Sequence, residues 1–203
     1  ARWTCVRRAG LAGVACSTVS EDLVVGDSVI GDVAVGDLVI RDGVAADVEA
    51  LAAIYDHYIA TSTALFIAET DLVGRQVITD KLANLVAPDR FLVAERDGQP
   101  IGYAASGAFR SRPLYDVREL SIYLSPSAAG SGAGRRLYAA LLQALDAAGV
   151  NSTVGLVALP NPASEALHRA LGFRHVGTMD ELGHKFGRRI DVSFWQRMNP
   201  LPH

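Results

Sequence analysis

Two stretches of this chain hold residue types that can do chemistry. The first is a small-residue turn, Ala128-Ala129-Gly130-Ser131-Gly132-Ala133-Gly134, which runs into the helical pattern Arg135 to Leu142. Unpaired backbone N–H groups and the positive end of a helix dipole make such a junction an anion site, suited to a pyrophosphate. No Ser, Thr, Asp or Asn immediately precedes Arg135 as a side-chain cap, so the first-turn N–H groups stay open to a ligand. The second stretch offers proton-transfer groups: Glu119, just before the apolar run Leu120 to Leu124, and His168, on a helical segment after Asn161. A carboxylate can take a proton from an attacking amine, and an imidazole of pKa about 6.5 can give or take one near neutrality. Arg112 adds a planar guanidinium that suits bidentate capture of a carboxylate.

Each of these has a plainer alternative. Gly132 and Gly134 can simply permit tight packing. Glu119 can face solvent or pair with Arg118, His168 can be a packed helix residue, and Arg112 a solvated loop residue. Local spacing leaves these alternatives open.

The elements that must position them follow from periodicity. Leu38 to Arg41 reads as a strand, and Ala46 to Ile59 as a helix with Val48, Leu51, Ile54, Tyr55 and Tyr58 at helical spacing. A second helix is predicted over Asp71 to Val86. Strands at Phe91 to Glu95 and Ile101 to Ser106 flank the hairpin signal Asp97-Gly98-Gln99-Pro100. Val117 to Leu124 is the long central strand, and the helix after the glycine turn reaches Ala148, stopped by Gly149. A strand at Thr153 to Leu159, a helix through Ala166 to Ala170, and strands near Arg174 to Met179 and Arg189 to Trp195 complete the order. Strands mixed with helices in this way predict an α/β sandwich around one mixed sheet.

Composition bounds the function. With 203 residues, half of them apolar, the chain can bury one substantial core. A net charge of −3 without a basic run gives no reason to expect nucleic acid, and no apolar stretch approaches the roughly 20 residues of a membrane span. Cys5 and Cys16 are the two cysteines, so residues 38–203 have none for a disulfide scaffold or a cysteine-ligated metal. Residues 1–37 stand apart: Val25-Gly26-Asp27, Ile30-Gly31-Asp32 and Val35-Gly36-Asp37 recur every five residues, a period of neither helix nor strand. The expectation is a poorly ordered extension over 1–37 and one domain over 38–203.

Several motifs in order carry a resemblance. Ile54 to Phe66, Gly107 to Tyr115, the strand–turn–helix of Leu120 to Leu142, Ser164 to Phe173 and Asp191 to Arg197 resemble the GNAT acyltransferase superfamily. Within it, the chain is similar to the phosphinothricin acetyltransferases from about residue 39 to 197. The resemblance implies the GNAT fold and acetyl-CoA as co-substrate, bound by Ile122, Tyr123, Leu124, Ala129, Gly130, Gly132, Ala133, Gly134, Arg135 and Asn161. It also implies Glu119 as general base, with His168 in the position where many members carry a tyrosine that protonates the departing thiolate. Phe66, Phe109, Arg112 and Tyr115 would line the acceptor site. The implied reaction is direct acetyl transfer, without a metal, to the α-amino group of a small amino acid or analogue of the phosphinothricin, methionine sulfoximine or methionine sulfone type. A cytoplasmic homodimer is implied too, with neither nucleic acid nor membrane as partner. Ala129 departs from the pattern, since Gln or Arg is usual there. That leaves a catalytically silent acyl-CoA-binding module as an alternative, beside an acetyltransferase for peptide N-termini or polyamines.

Overall fold

The computed structural model describes residues 38–109 and 117–200. The expected extension over 1–37, and the substrate residues Arg112 and Tyr115, lie outside the described residues. Eleven elements follow one another: β1 Val39–Asp42, α1 Val48–Thr61, α2 Gly74–Ala83, β2 Phe91–Arg96, β3 Gln99–Ala108, β4 Val117–Leu124, α3 Ala133–Ala147, β5 Ser152–Ala158, α4 Pro162–Ala170, β6 Arg174–Lys185 and β7 Arg188–Met198. The strands form one mixed sheet in the order β1-β2-β3-β4-β5-β7-β6, in which β4 and β5 are the parallel pair.

Apolar alternation in the strands feeds two cores, one on each face of the sheet. Leu120 of β4 joins Leu137, Tyr138, Leu141 and Leu145 of α3, with Ile122 and Leu124 packed against them. On the other face Val93, Tyr103 and Ala105 meet Leu51, Ile54, Tyr55 and Ile59 of α1 and Ile78 of α2, with Tyr123 packed alongside. Residues two apart in a strand point the same way, so Glu119 shares the α1/α2 face with Tyr123. The β2–β3 turn has φ of 51° at Asp97 and 74° at Gly98, the left-handed pair that a two-residue hairpin needs.

Several boundaries differ from the sequence expectation. The second helix is shorter than Asp71 to Val86. Its start is fixed where Gly74 N–H donates to Asp56 Oδ1 at 2.8 Å, with Gly74 so close to Ala52 O that a Cβ has no room. Its end comes at Asn84, whose side chain donates back to Asp80 O. The helix after the glycine turn begins at Ala133, two residues before Arg135. The strand starting at Arg174 continues to Lys185, because β7 supplies partners beyond the irregularity between Met179 and Gly183. An edge strand tolerates the polar residues Asp180 and Glu181, which read locally as its end.

Candidate active site

The sheet opens where chemistry was expected. β4 pairs with β5 only from Val117↔Ser152 to Leu120↔Gly155, yet β4 continues to Leu124 and β5 to Ala158. Beyond Leu120, one edge of β4 therefore has no strand partner, and the two strands bound a wedge. Ile122, Tyr123 and Leu124 lie along it. The Leu124 carbonyl already accepts a hydrogen bond from the Tyr58 hydroxyl at 3.0 Å.

Directly after β4 comes the glycine turn. Gly130 and Gly132 have φ of 74° and 77°, and a Cβ at either would meet nothing within 4 Å. These two glycines answer to backbone conformation and open space, not to packing. Gly134 is different: a Cβ there would sit 2.8 Å from Leu124 Cδ1, so it lets α3 approach β4. No side chain caps α3 in the sense of an N-cap; only Ser131 Oγ comes within 3.4 Å of Ala133 N. Ala129 is exposed, as is Arg135, while Arg136 donates to Leu38 O. The turn fits a pyrophosphate through backbone donors, with Arg135 as a nearby charge.

Proton-handling residues flank the apex of the wedge. Glu119 stands one residue before Leu120 and reaches the surface, but the surrounding protein desolvates it. This raises its pKa above the usual carboxylate range, against the opposing charge of Lys81 on α2. Arg118 pairs with Asp89 at 3.1 Å instead of with Glu119. On the opposite face, His168 is 3% exposed and lies under Gly155, where any Cβ would strike its imidazole. Its Nδ1 is 2.8 Å from Ser164 O, a carbonyl that can only accept. The neutral ring therefore carries its proton on Nδ1, and Nε2 accepts from the Tyr138 hydroxyl at 3.3 Å. Burial lowers the His168 pKa, partly offset by the hydrogen bond to Ser164, and so favours the neutral imidazole. Tyr138 is raised by burial and by the charge of Glu119 across the apex.

On the α1/α2 face, Tyr123 is the hub of an aromatic group, with Tyr55, Tyr58 and Tyr103 ring centres 5.3–5.4 Å away. Lys81 has its pKa lowered by burial, with Glu119 raising it. Phe66, 46% exposed, lies in the loop after α1 and packs on Gly183 of β6. Phe109 follows β3 and its N–H reaches Val117 O at 3.4 Å. Asn161 caps α4: its Oδ1 accepts from Ser164 N–H at 3.1 Å, which leaves its amide NH2 for another partner. Sequence reading did not single out Tyr138, Lys81 or Gly155. A glycine inside an apolar strand is a signal of close approach, and Gly155 carried it. Among the described residues no cluster could hold a metal ion, and no helix is long and apolar enough to cross a membrane.

A parallel pair of strands that part beside an uncapped helix, with a carboxylate at the point of parting, leaves room for a ligand along the strand edge and an anion at the helix start. Comparison with known proteins agrees: residues 51–173 match the acetyltransferase (GNAT) family, and the chain belongs to that family of N-acetyltransferases. A phosphinothricin N-acetyltransferase of Streptomyces viridochromogenes is 40% identical over 78% of this chain and 86% of its own. An L-methionine sulfoximine/L-methionine sulfone acetyltransferase of Pseudomonas paraeruginosa is 37% identical over 74% and 88%. Among solved structures, a phosphinothricin acetyltransferase from Sinorhizobium meliloti in complex with AcCoA superposes with a TM-score of 0.73. It is 34% identical and covers 80% of this chain and 88% of that one.

Proposed function

We propose that this chain acetylates the α-amino group of a small amino acid or analogue, of the phosphinothricin, methionine sulfoximine or methionine sulfone type, using acetyl-CoA. One observation carries the reading: β4 holds Glu119 on one face of the sheet, and its own unpaired edge leads to the uncapped start of α3. The relatives named for these acceptors support the substrate class. Acetyl-CoA supplies an activated acetyl thioester.

The chain's residues then divide the work. The turn at Ala129 to Gly134 and Arg135 hold the phosphates, and the edge of Ile122 to Leu124 together with the Asn161 amide lines the arm. Glu119 takes the proton of the acceptor ammonium; a raised pKa brings the carboxylate closer in basicity to the amine it serves. His168 serves the departing thiolate: its Nε2 takes the proton that the attacking nitrogen releases and passes it to sulfur, while Tyr138, 3.3 Å from Nε2, positions the ring. Phe66, Phe109, Arg112 and Tyr115 surround the acceptor, with Arg112 on its carboxylate. Catalysis resides in residues 38–203, working as a cytoplasmic homodimer.

The decisive measurement titrates acetyl-CoA calorimetrically and then follows thiol release with a panel of amino acids, a peptide N-terminus and a polyamine. Release with free amino acids alone is the expected result. Binding without release from any acceptor would make the chain a silent binding module.

A further inference from the structure

The strongest feature outside the reaction centre is a buried ammonium. Lys185 is 3% exposed, at the end of β6, and its Nζ donates to the carbonyl of Leu65 at 2.7 Å. The Phe186 ring lies 5.1 Å from the same nitrogen. Burial lowers the pKa of this ammonium, with Glu69 acting in the opposite sense. Burying an amine is costly, and such a residue fixes whatever it bonds. Here it bonds the loop between α1 and α2. The same junction is fitted sterically, because Phe66 packs where a side chain at Gly183 would have to go. A cavity of about 250 Å³ adjoins it, lined in part by Phe66, Glu69, His184 and Lys185.

Topology says what this junction spans. The loop hangs from α1, whose Tyr58 is bonded to Leu124 at the far end of β4. The β6–β7 turn hangs from β7, which pairs with β5 up to Val192↔Ala158 and runs on past the end of β5. β4 and β5 are parallel, so both supports lie at the open end of the wedge, one on each side of it. The loop belongs to the face that carries Glu119 and Tyr123, opposite α3.

We propose that Lys185 is a positioning residue for the acceptor: its bond to Leu65 straps the two sides of the wedge together at the mouth and holds Phe66 in place over the acceptor path. The proposal rests on the acetyl-transfer reading for its kinetic half only. The strap restricts the acceptor and leaves the phosphate turn on the other face untouched.

The test compares Lys185→Met, Lys185→Arg and Gly183→Ala with the unaltered chain, using whichever amino acid that chain acetylates. Lys185→Met should raise the acceptor KM on the order of tenfold, as for loss of one charge-assisted hydrogen bond. The calorimetric Kd for acetyl-CoA and kcat at saturating acceptor should stay within a small factor. Gly183→Ala, which displaces Phe66, should repeat this split, and Lys185→Arg should restore most of the KM. Amide exchange of residues 62–69, measured without any substrate, should quicken in Lys185→Met. That measurement stands even if no acceptor is found. An unchanged KM, an equal rise in coenzyme Kd, or unchanged exchange across 62–69 would each overturn the proposal.

Discussion

The two faces of the sheet prepare for their ligands by different means. On the α3 face the groups that would meet the coenzyme are mostly backbone: the turn at Gly130 and Gly132, the uncapped start of α3 and the free edge of β4. On the α1/α2 face they are side chains: Glu119, Lys81 and the rings around Tyr123. Backbone donors are fixed by conformation and survive most substitutions, which is how the turn can carry alanine at position 129 and keep its shape. Side-chain groups are removed by one substitution. The α1/α2 face should therefore be the more fragile in turnover, and the α3 face the more open to improvement.

Glu119→Gln tests the fragile face most severely. Turnover should fall about 10²–10⁴-fold, or roughly 3–5 kcal/mol in the barrier, with little change in acetyl-CoA affinity. The defect should shrink as pH rises and the amine deprotonates unaided. In the unaltered chain, the acid limb of the rate profile should lie above the ordinary glutamate value of about 4.3, because burial raises this carboxyl. Near-normal turnover of the variant at neutral pH would remove Glu119 from the mechanism.

Gly155→Ala tests the apex that both faces share. The new Cβ must push His168 away from Tyr138, and overpacking of this kind costs about 1–3 kcal/mol, read as a lower urea midpoint together with slower turnover. An unaltered midpoint would mean that His168 is not held against β5.

Ala129→Arg tests the improvable face. A restored side-chain donor should tighten acetyl-CoA roughly tenfold, less than a buried ion pair would, because the position is exposed. A pantetheine thioester without the pyrophosphate should gain less. Equal gains for both ligands would show that the turn does not cradle phosphate.

A smaller effect is thermodynamic. The folded-state pKa of His168 is depressed, so at acid pH the unfolded chain binds the proton more readily than the native one. Its contribution to stability is present above about pH 6.5 and is lost as pH falls through the lowered value. His168→Gln should flatten this part of the stability profile. Parallel profiles in urea would rule the contribution out. Smallest of all, removing residues 1–36 should leave kcat/KM within a small factor; loss of folding would make them part of the catalytic domain.

What the sequence made legible was local. The glycine turn could be read because φ above zero and a missing cap are properties of neighbouring residues, and the hairpin at Asp97-Gly98 for the same reason. The order of elements followed from periodicity. Tyr138 and His168 are 30 residues apart and meet only because α3 and α4 share a face of the sheet, so neither signals the other. Lys81 escaped notice because nothing along α2 records that Glu119 lies opposite. The length of α2 is likewise decided by contacts of Gly74 with α1, which periodicity cannot register.

The parting of β4 and β5 has a mechanical side. Four residue pairs, Val117↔Ser152 to Leu120↔Gly155, form the strand-to-strand seam between a four-stranded half of the sheet and a three-stranded half. A short seam has little leverage against twisting, and a guest that hydrogen-bonds along the open edge lengthens it as another strand would. Occupancy of the wedge is then a change of stiffness as much as of composition, felt by every strand on both sides of the gap.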